Sequence, residues 1–141
     1  MPTREFLLCL ECSHEGARND IRELRVWKQD GGEWRRFDLD NLTPGFDIFC
    51  YALLACQHTY LRLNCAESGL SLQRVEGEMH LSTSADWDIL SQLLSFSAHL
   101  RSGDPEPEVV EYIIDRMQQC PVSKSLHPIA DCNVLLAFVE R

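Results

Sequence analysis

No apolar run in the chain reaches the ~18 residues that a membrane-spanning helix requires. Met1–Glu5 leads into a short mixed stretch rather than a secretory signal, so the cytoplasm is the expected compartment. Basic charge is also scarce, with 13 Lys and Arg against 22 Asp and Glu and a net charge of −9. That balance repels nucleic acid and anionic membrane surfaces, and neither is an expected partner. Internal repeats, low-complexity tracts and Gly/Ser linkers are missing too. The simplest organisation is one domain over residues 1–141, long enough to bury a core.

Cysteine, by contrast, is abundant: seven thiols, at positions 9, 12, 50, 56, 65, 120 and 132. Their odd number and the lack of an export signal argue against a secreted disulfide framework. In a reducing compartment most free thiols are small buried hydrophobes. Cys9-Leu-Glu-Cys12 has the spacing used by metal and redox sites. It falls in an expected strand, however, where residues i and i+3 point to opposite faces and the sulfurs diverge. No second C-x-x-C completes a zinc set, and His14 does not rescue the first, so neither metal nor other cofactor is expected.

Hydrophobic periodicity predicts an α+β fold. Phe6–Cys12 reads as a buried strand, and Ile21–Gln29 and Glu33–Asp40 flank Asp30-Gly31-Gly32 as arms of a hairpin. These strands fall within residues 5–40, and Arg35, Phe37 and Leu39 share one face of the second arm. A long central helix follows over 46–64, with Phe49, Leu53, Cys56, Tyr60 and Leu63 as its buried stripe, widened by Leu54 and Leu61, and Ser68-Gly69 after its end. Residues 70–101 hold two strands, in which Val75, Gly77, Met79 and Leu81, then Leu94, Phe96, Ala98 and Leu100, alternate with polar neighbours. A second helix covers 106–119, a short one Pro121–Leu126, and a last strand 133–139.

The junction Cys120-Pro-Val-Ser-Lys-Ser-Leu126 has chemistry of its own. Proline suits the first helical position, so Cys120 is the expected N-cap, its sulfur facing the N–H groups of Val122 and Ser123. Those groups, the helix dipole and Lys124 favour a thiolate. The same local sequence equally serves a capped helix break with an inert cysteine. Cys50 and Cys56 share the long helix but lie ~120° apart around it, too far to bond to each other.

With Ala52-Leu-Leu-Ala-Cys56 on the long helix and Cys120-Pro-Val-Ser-Lys-Ser-Leu126 after the second, the chain resembles the OsmC/Ohr family. Ser68-Gly-Leu70, Val75-Glu-Gly-Glu-Met79 and Gly103-Asp104 match the segments between them, over roughly Leu42 to Val139. The resemblance implies a two-layer fold, with the β-sheet packed on the long central helix, that is stable as an intertwined homodimer. It also implies a cysteine-based peroxidase acting on organic hydroperoxides. Cys56 would form the sulfenic acid, Cys120 would resolve it to a Cys56–Cys120 disulfide, and an external dithiol would reset the pair. Phe46, Phe49, Leu53 and Tyr60 would form the apolar substrate pocket.

The peroxidase branches carry a glutamate ten residues before the helix cysteine, and it orients an arginine from the N-terminal strands. Phe46 occupies that position here. Asp47 lies on the opposite side of the helix from Cys56, where it suits the first-turn dipole. Arg35 and Arg36 are the candidates for the activating arginine, with Arg22 and Arg25 on the preceding arm. The competing reading keeps the fold but makes the protein a non-enzymatic thiol redox sensor or a binder of an apolar ligand.

Overall fold

A computed structural model of the chain describes residues 2–125 and 132–140, with Cys132 as backbone only. The elements run β1 (Arg4–Glu15), β2 (Asp20–Asp30), β3 (Glu33–Arg36), α1 (Gly45–Glu67), β4 (Ser71–Thr83), β5 (Ile89–Ser102), α2 (Pro107–Met117), α3 (Pro121–Lys124) and β6 (Cys132–Val139). This is the expected α+β arrangement. The six strands form one sheet in the order β3-β2-β1-β4-β5-β6.

Turn chemistry sets the sheet's outer edge. Gly31 and Gly32 both have positive φ, 62° and 86°, as a two-residue hairpin turn between right-twisted strands requires. β3 stops at Arg36, four residues before the expected end of that arm. Beyond it Phe37 turns to stack on Tyr51 of α1, with ring centroids 5.5 Å apart, while Asp40 closes a side-chain turn onto the N–H of Leu42. The Phe37 N–H still donates to the Val26 carbonyl at 2.8 Å, so pairing ends there and Leu39, next to the Asp40 turn, does not join Arg35 and Phe37 on a strand face.

β1 is central. It pairs antiparallel with both β2 and β4 and turns Leu8, Leu10, Cys12 and His14 to the core. β4 and β5 supply Leu72, Val75, Met79 and Leu81, then Leu94, Phe96, Ala98 and Leu100, to the same layer. β6 runs parallel to β5, and the α2–α3 segment makes the crossover that a parallel pair demands.

Helix α1 lies over this apolar face. It ends in a glycine-dependent cap, with Gly69 at φ 75° and the Leu70 N–H donating to the Cys65 carbonyl at 2.9 Å. Its buried face shares Leu53, Leu54 and Leu61 with the expected stripe and differs in the rest. Cys50, Leu53, Leu54, Gln57, His58, Leu61, Asn64 and Cys65 face inward, whereas Phe49, Cys56 and Tyr60 are half-buried and Leu63 is exposed. Four polar side chains of α1 are buried and each has a partner: Asp47 on Lys28, Gln57 on Ser123, His58 on His14 and Asn64 on the Tyr60 carbonyl. A hydrophobic count assigns such residues to solvent, and so places the buried stripe about one residue out of phase.

Candidate functional site: a thiol pair where two helices meet

The structure joins Cys56 of α1 to Cys120 in a disulfide, with Cα atoms 6.2 Å apart and a sequence separation of 64. Cys120 is the N-cap residue of α3, at φ −54° and ψ 133°, the extended conformation that a following proline imposes. Its sulfur makes no capping hydrogen bond and is directed to Cys56 instead. This corrects the expected orientation toward the N–H groups of Val122 and Ser123. Met117 O accepts from the Cys120 N–H at 3.1 Å, so α2 and α3 hold the residue from both sides. Gln57, next in sequence to Cys56, donates from Nε2 to Ser123 Oγ and ties α3 to α1. Gln57 Oε1 is buried and has no partner.

The other site residues read from the sequence disperse. Phe46 enters an aromatic cluster with Phe6, Phe49 and Trp87, at centroid distances of 4.7, 5.4 and 5.1 Å. Leu53 is fully enclosed in the core, and Tyr60 stands half-buried further along α1. Asp47 is buried and accepts from Lys28 Nζ of β2 at 2.7 Å, an ion pair across to the sheet rather than a dipole partner alone. Arg35 and Arg36 sit on the outermost strand, one 3.8 Å from Glu33 and the other over the Trp27 ring. Arg25 pairs with Glu23.

Residues 40–134 match the family model described as OsmC-like protein. The chain belongs to the OsmC-like protein family. No curated protein matches it. Solved structures with the same fold include an OsmC-like protein from Mycoplasma pneumoniae, at 14% identity and TM-score 0.55, covering 82% of this chain and 87% of that one. An OsmC-like hydroperoxide resistance protein from Jannaschia sp. aligns at 18% identity and TM-score 0.55, covering 87% of each chain. A hypothetical protein from Aquifex aeolicus reaches TM-score 0.58 at 9% identity, covering 94% and 96%.

Within this OsmC-like fold the described free thiols are held protonated. Burial pushes Cys50 up to about 12, assisted by the Asp47 charge, and burial alone does the same for Cys65. Cys12 is pushed up to about 11 by burial, although the Arg62 charge opposes the rise. Cys9 rises through burial and the charges of Glu78 and Glu11.

Sequence reasoning weighed His14 beside Cys9 and Cys12 but missed His58, which completes a cluster. Cys9 and Cys12 do take opposite faces of β1, but His14, two residues after Cys12, shares its inward face and meets His58 of α1. Ligand atoms of Cys12, His14 and His58 lie within 4.8 Å of one another, and all three side chains are buried. The readable signals were a C-x-H pair on one strand face and a single histidine on a helix face that is otherwise mainly apolar. Burial lowers the basicity of both rings, and repulsion from His14 and Arg62 adds to this at His58, which falls to about 3.

Proposed function

We propose that this OsmC-family chain is a homodimeric, thiol-dependent peroxidase that reduces organic hydroperoxides, with Cys56 attacking and Cys120 resolving. The observation that carries this reading is the bond between those two cysteines at the meeting of α1 and α3. Cys56 is half-buried whereas Cys120 is fully buried, which supports giving Cys56 the encounter with peroxide. In the first step the Cys56 thiolate attacks one peroxide oxygen and the O–O bond breaks. The sulfur becomes a sulfenic acid, and the other oxygen leaves with a proton as the alcohol. The Cys120 sulfur then attacks the Cys56 sulfur, water departs and the disulfide forms. An external dithiol supplies two electrons to reopen it.

Phe46, Phe49 and Tyr60 would contact the organic part of the hydroperoxide, with Leu53 as packed support beneath them. This favours an apolar substrate over hydrogen peroxide. Asp47 would serve through Lys28, fixing the first turn of α1. Arg35 and Arg36 are the cations that would be brought to Cys56 in the dimer. The experiment is dithiol-driven loss of cumene hydroperoxide. The wild type should turn over, Cys56→Ser should lose at least about 100-fold in rate, and Cys120→Ser should stall after one equivalent without a small thiol. A rate equal to that of free cysteine, unchanged by Cys56→Ser, contradicts the proposal.

A second reading, a redox sensor or apolar-ligand binder, is favoured by a specific pair of observations. Phe46 stands where peroxidase relatives carry glutamate, and Asp47 is already neutralised by Lys28. An apolar cavity of about 210 Å³, lined by Leu10, Leu24, Val26, Tyr51, Leu54 and His58, offers a place for a small ligand. Stoichiometric Cys56–Cys120 closure without sustained turnover would select this reading.

A further inference from the structure

We propose that Cys12, His14 and His58 form a binding site for a single monovalent copper ion, separate from the Cys56–Cys120 pair. Two adjacent strand positions on one face and one helix position converge there, and their donor atoms lie within 4.8 Å of one another. The two Nε2 atoms are 3.2 Å apart. Two imidazole nitrogens bound to one ion at ~2.0 Å stand roughly 3.3–3.5 Å apart, so the rings are already at chelating distance. A sulfur and a nitrogen on the same three-coordinate ion stand ~3.7 Å apart, which Cys12 reaches by a shift of about an ångström or less.

The surroundings are built in the way that metal-binding histidines require. His14 Nδ1 lies 2.9 Å from the Asn19 carbonyl. That bond holds the Nδ1 proton and leaves the Nε2 lone pair facing His58. Asn19 is itself locked: it is fully buried at φ 54°, donates to the Arg62 and Leu70 carbonyls and accepts from the Leu72 N–H. Arg101 donates to the His14 carbonyl at 2.9 Å. Without an ion, His58 donates the shared proton to His14; on binding, that proton moves to His58 Nδ1.

Ligand type and charge select the ion. One thiolate and two imidazoles are a soft set that suits copper or zinc. Structural zinc takes four protein ligands, and the described residues supply three. A divalent ion on one thiolate would leave a net positive charge beside Arg62, whose Nε is buried without a hydrogen-bond partner. Cu(I) on one thiolate leaves no net charge. Binding breaks the Cys12 S–H bond, forms a copper–sulfur bond and releases one proton to solvent, and copper stays Cu(I) throughout. The 210 Å³ cavity that borders His58 offers an entry path.

The test is an anaerobic titration of the full chain, with Cys56–Cys120 oxidised and the other thiols reduced, against the Cu(I) chelator bicinchoninate. The wild type should withdraw one equivalent, and X-ray absorption should find one sulfur and two nitrogen ligands. Cys12→Ser and His58→Gln should each weaken binding about 100-fold, while Cys9→Ser leaves it unchanged. The absorption spectrum of the wild type decides the matter even if a buried variant fails to fold. Binding that survives Cys12→Ser, copper held by sulfur alone, or Zn(II) held equally well by the same residues would overturn the assignment.

Discussion

At the scale of single residues, environment separates cysteines that the sequence presents as equals. Cys50 and Cys65 lie on α1 with Cys56, yet both are fully buried with thiols pushed up to about 12. At pH 8 roughly one such thiol in ten thousand is ionised. Iodoacetamide applied to the reduced protein at pH 8 should therefore label Cys56 well before Cys50 or Cys65, as read by mass spectrometry. Labelling of Cys50 first would contradict the account. The burial of Cys12, Cys50 and Cys65 agrees with the general reading of free thiols as small hydrophobes. The nearness of Cys56 to Cys120 was not readable locally, since no local spacing connects residues so far apart, and only the family resemblance put them side by side. Cys120 holds the expected N-cap position, but the direction of its sulfur was misread because a sulfur partner from another element is invisible in the local sequence. The pairing of Asp47 with Lys28 escaped notice for the same reason.

At the scale of elements, period-2 alternation in β4 and β5 was legible and places Val75, Met79, Leu81, Leu94, Phe96 and Ala98 in the core. The same pattern contains Gly77, whose role emerges only across the sheet. A Cβ there would lie 2.9 Å from two ring carbons of Phe96 and 3.3 Å from Leu10 Cγ, in a fully packed layer. Gly77→Ala should cost about 1–3 kcal/mol in urea unfolding, and Phe96→Leu in the same chain should restore part of it. No loss would mean that the layer repacks freely. Helix α1 was legible as a helix but not in its phase, because Gln57, His58 and Asn64 turn inward to partners supplied by other elements. Gln57 bridges α1 and α3 beside the thiol pair. Gln57→Ala also removes the unpartnered Oε1, so stability should hold within about 1 kcal/mol. Closure of the disulfide by hydroperoxide should nevertheless slow several-fold in stopped-flow measurements. An unchanged closure rate would show that α3 keeps Cys120 in place without this tie.

At the scale of the whole molecule, the α+β class and the element order could be read from periodicity and turn residues. The sheet order could not. Alternation tells which side of a strand is buried and says nothing of its neighbours, so the central place of β1 and the parallel β5–β6 pair came only with the structure. That topology brings α3 back onto α1 and so unites Cys56 and Cys120. The most direct measurement is peptide mapping of the fully reduced chain before and after one equivalent of cumene hydroperoxide. A single new disulfide, Cys56–Cys120, formed faster than free cysteine is oxidised, is the result predicted. Oxidation at a free-thiol rate, spread over Cys9, Cys65 and Cys132 with Cys56 and Cys120 unlinked, would contradict it.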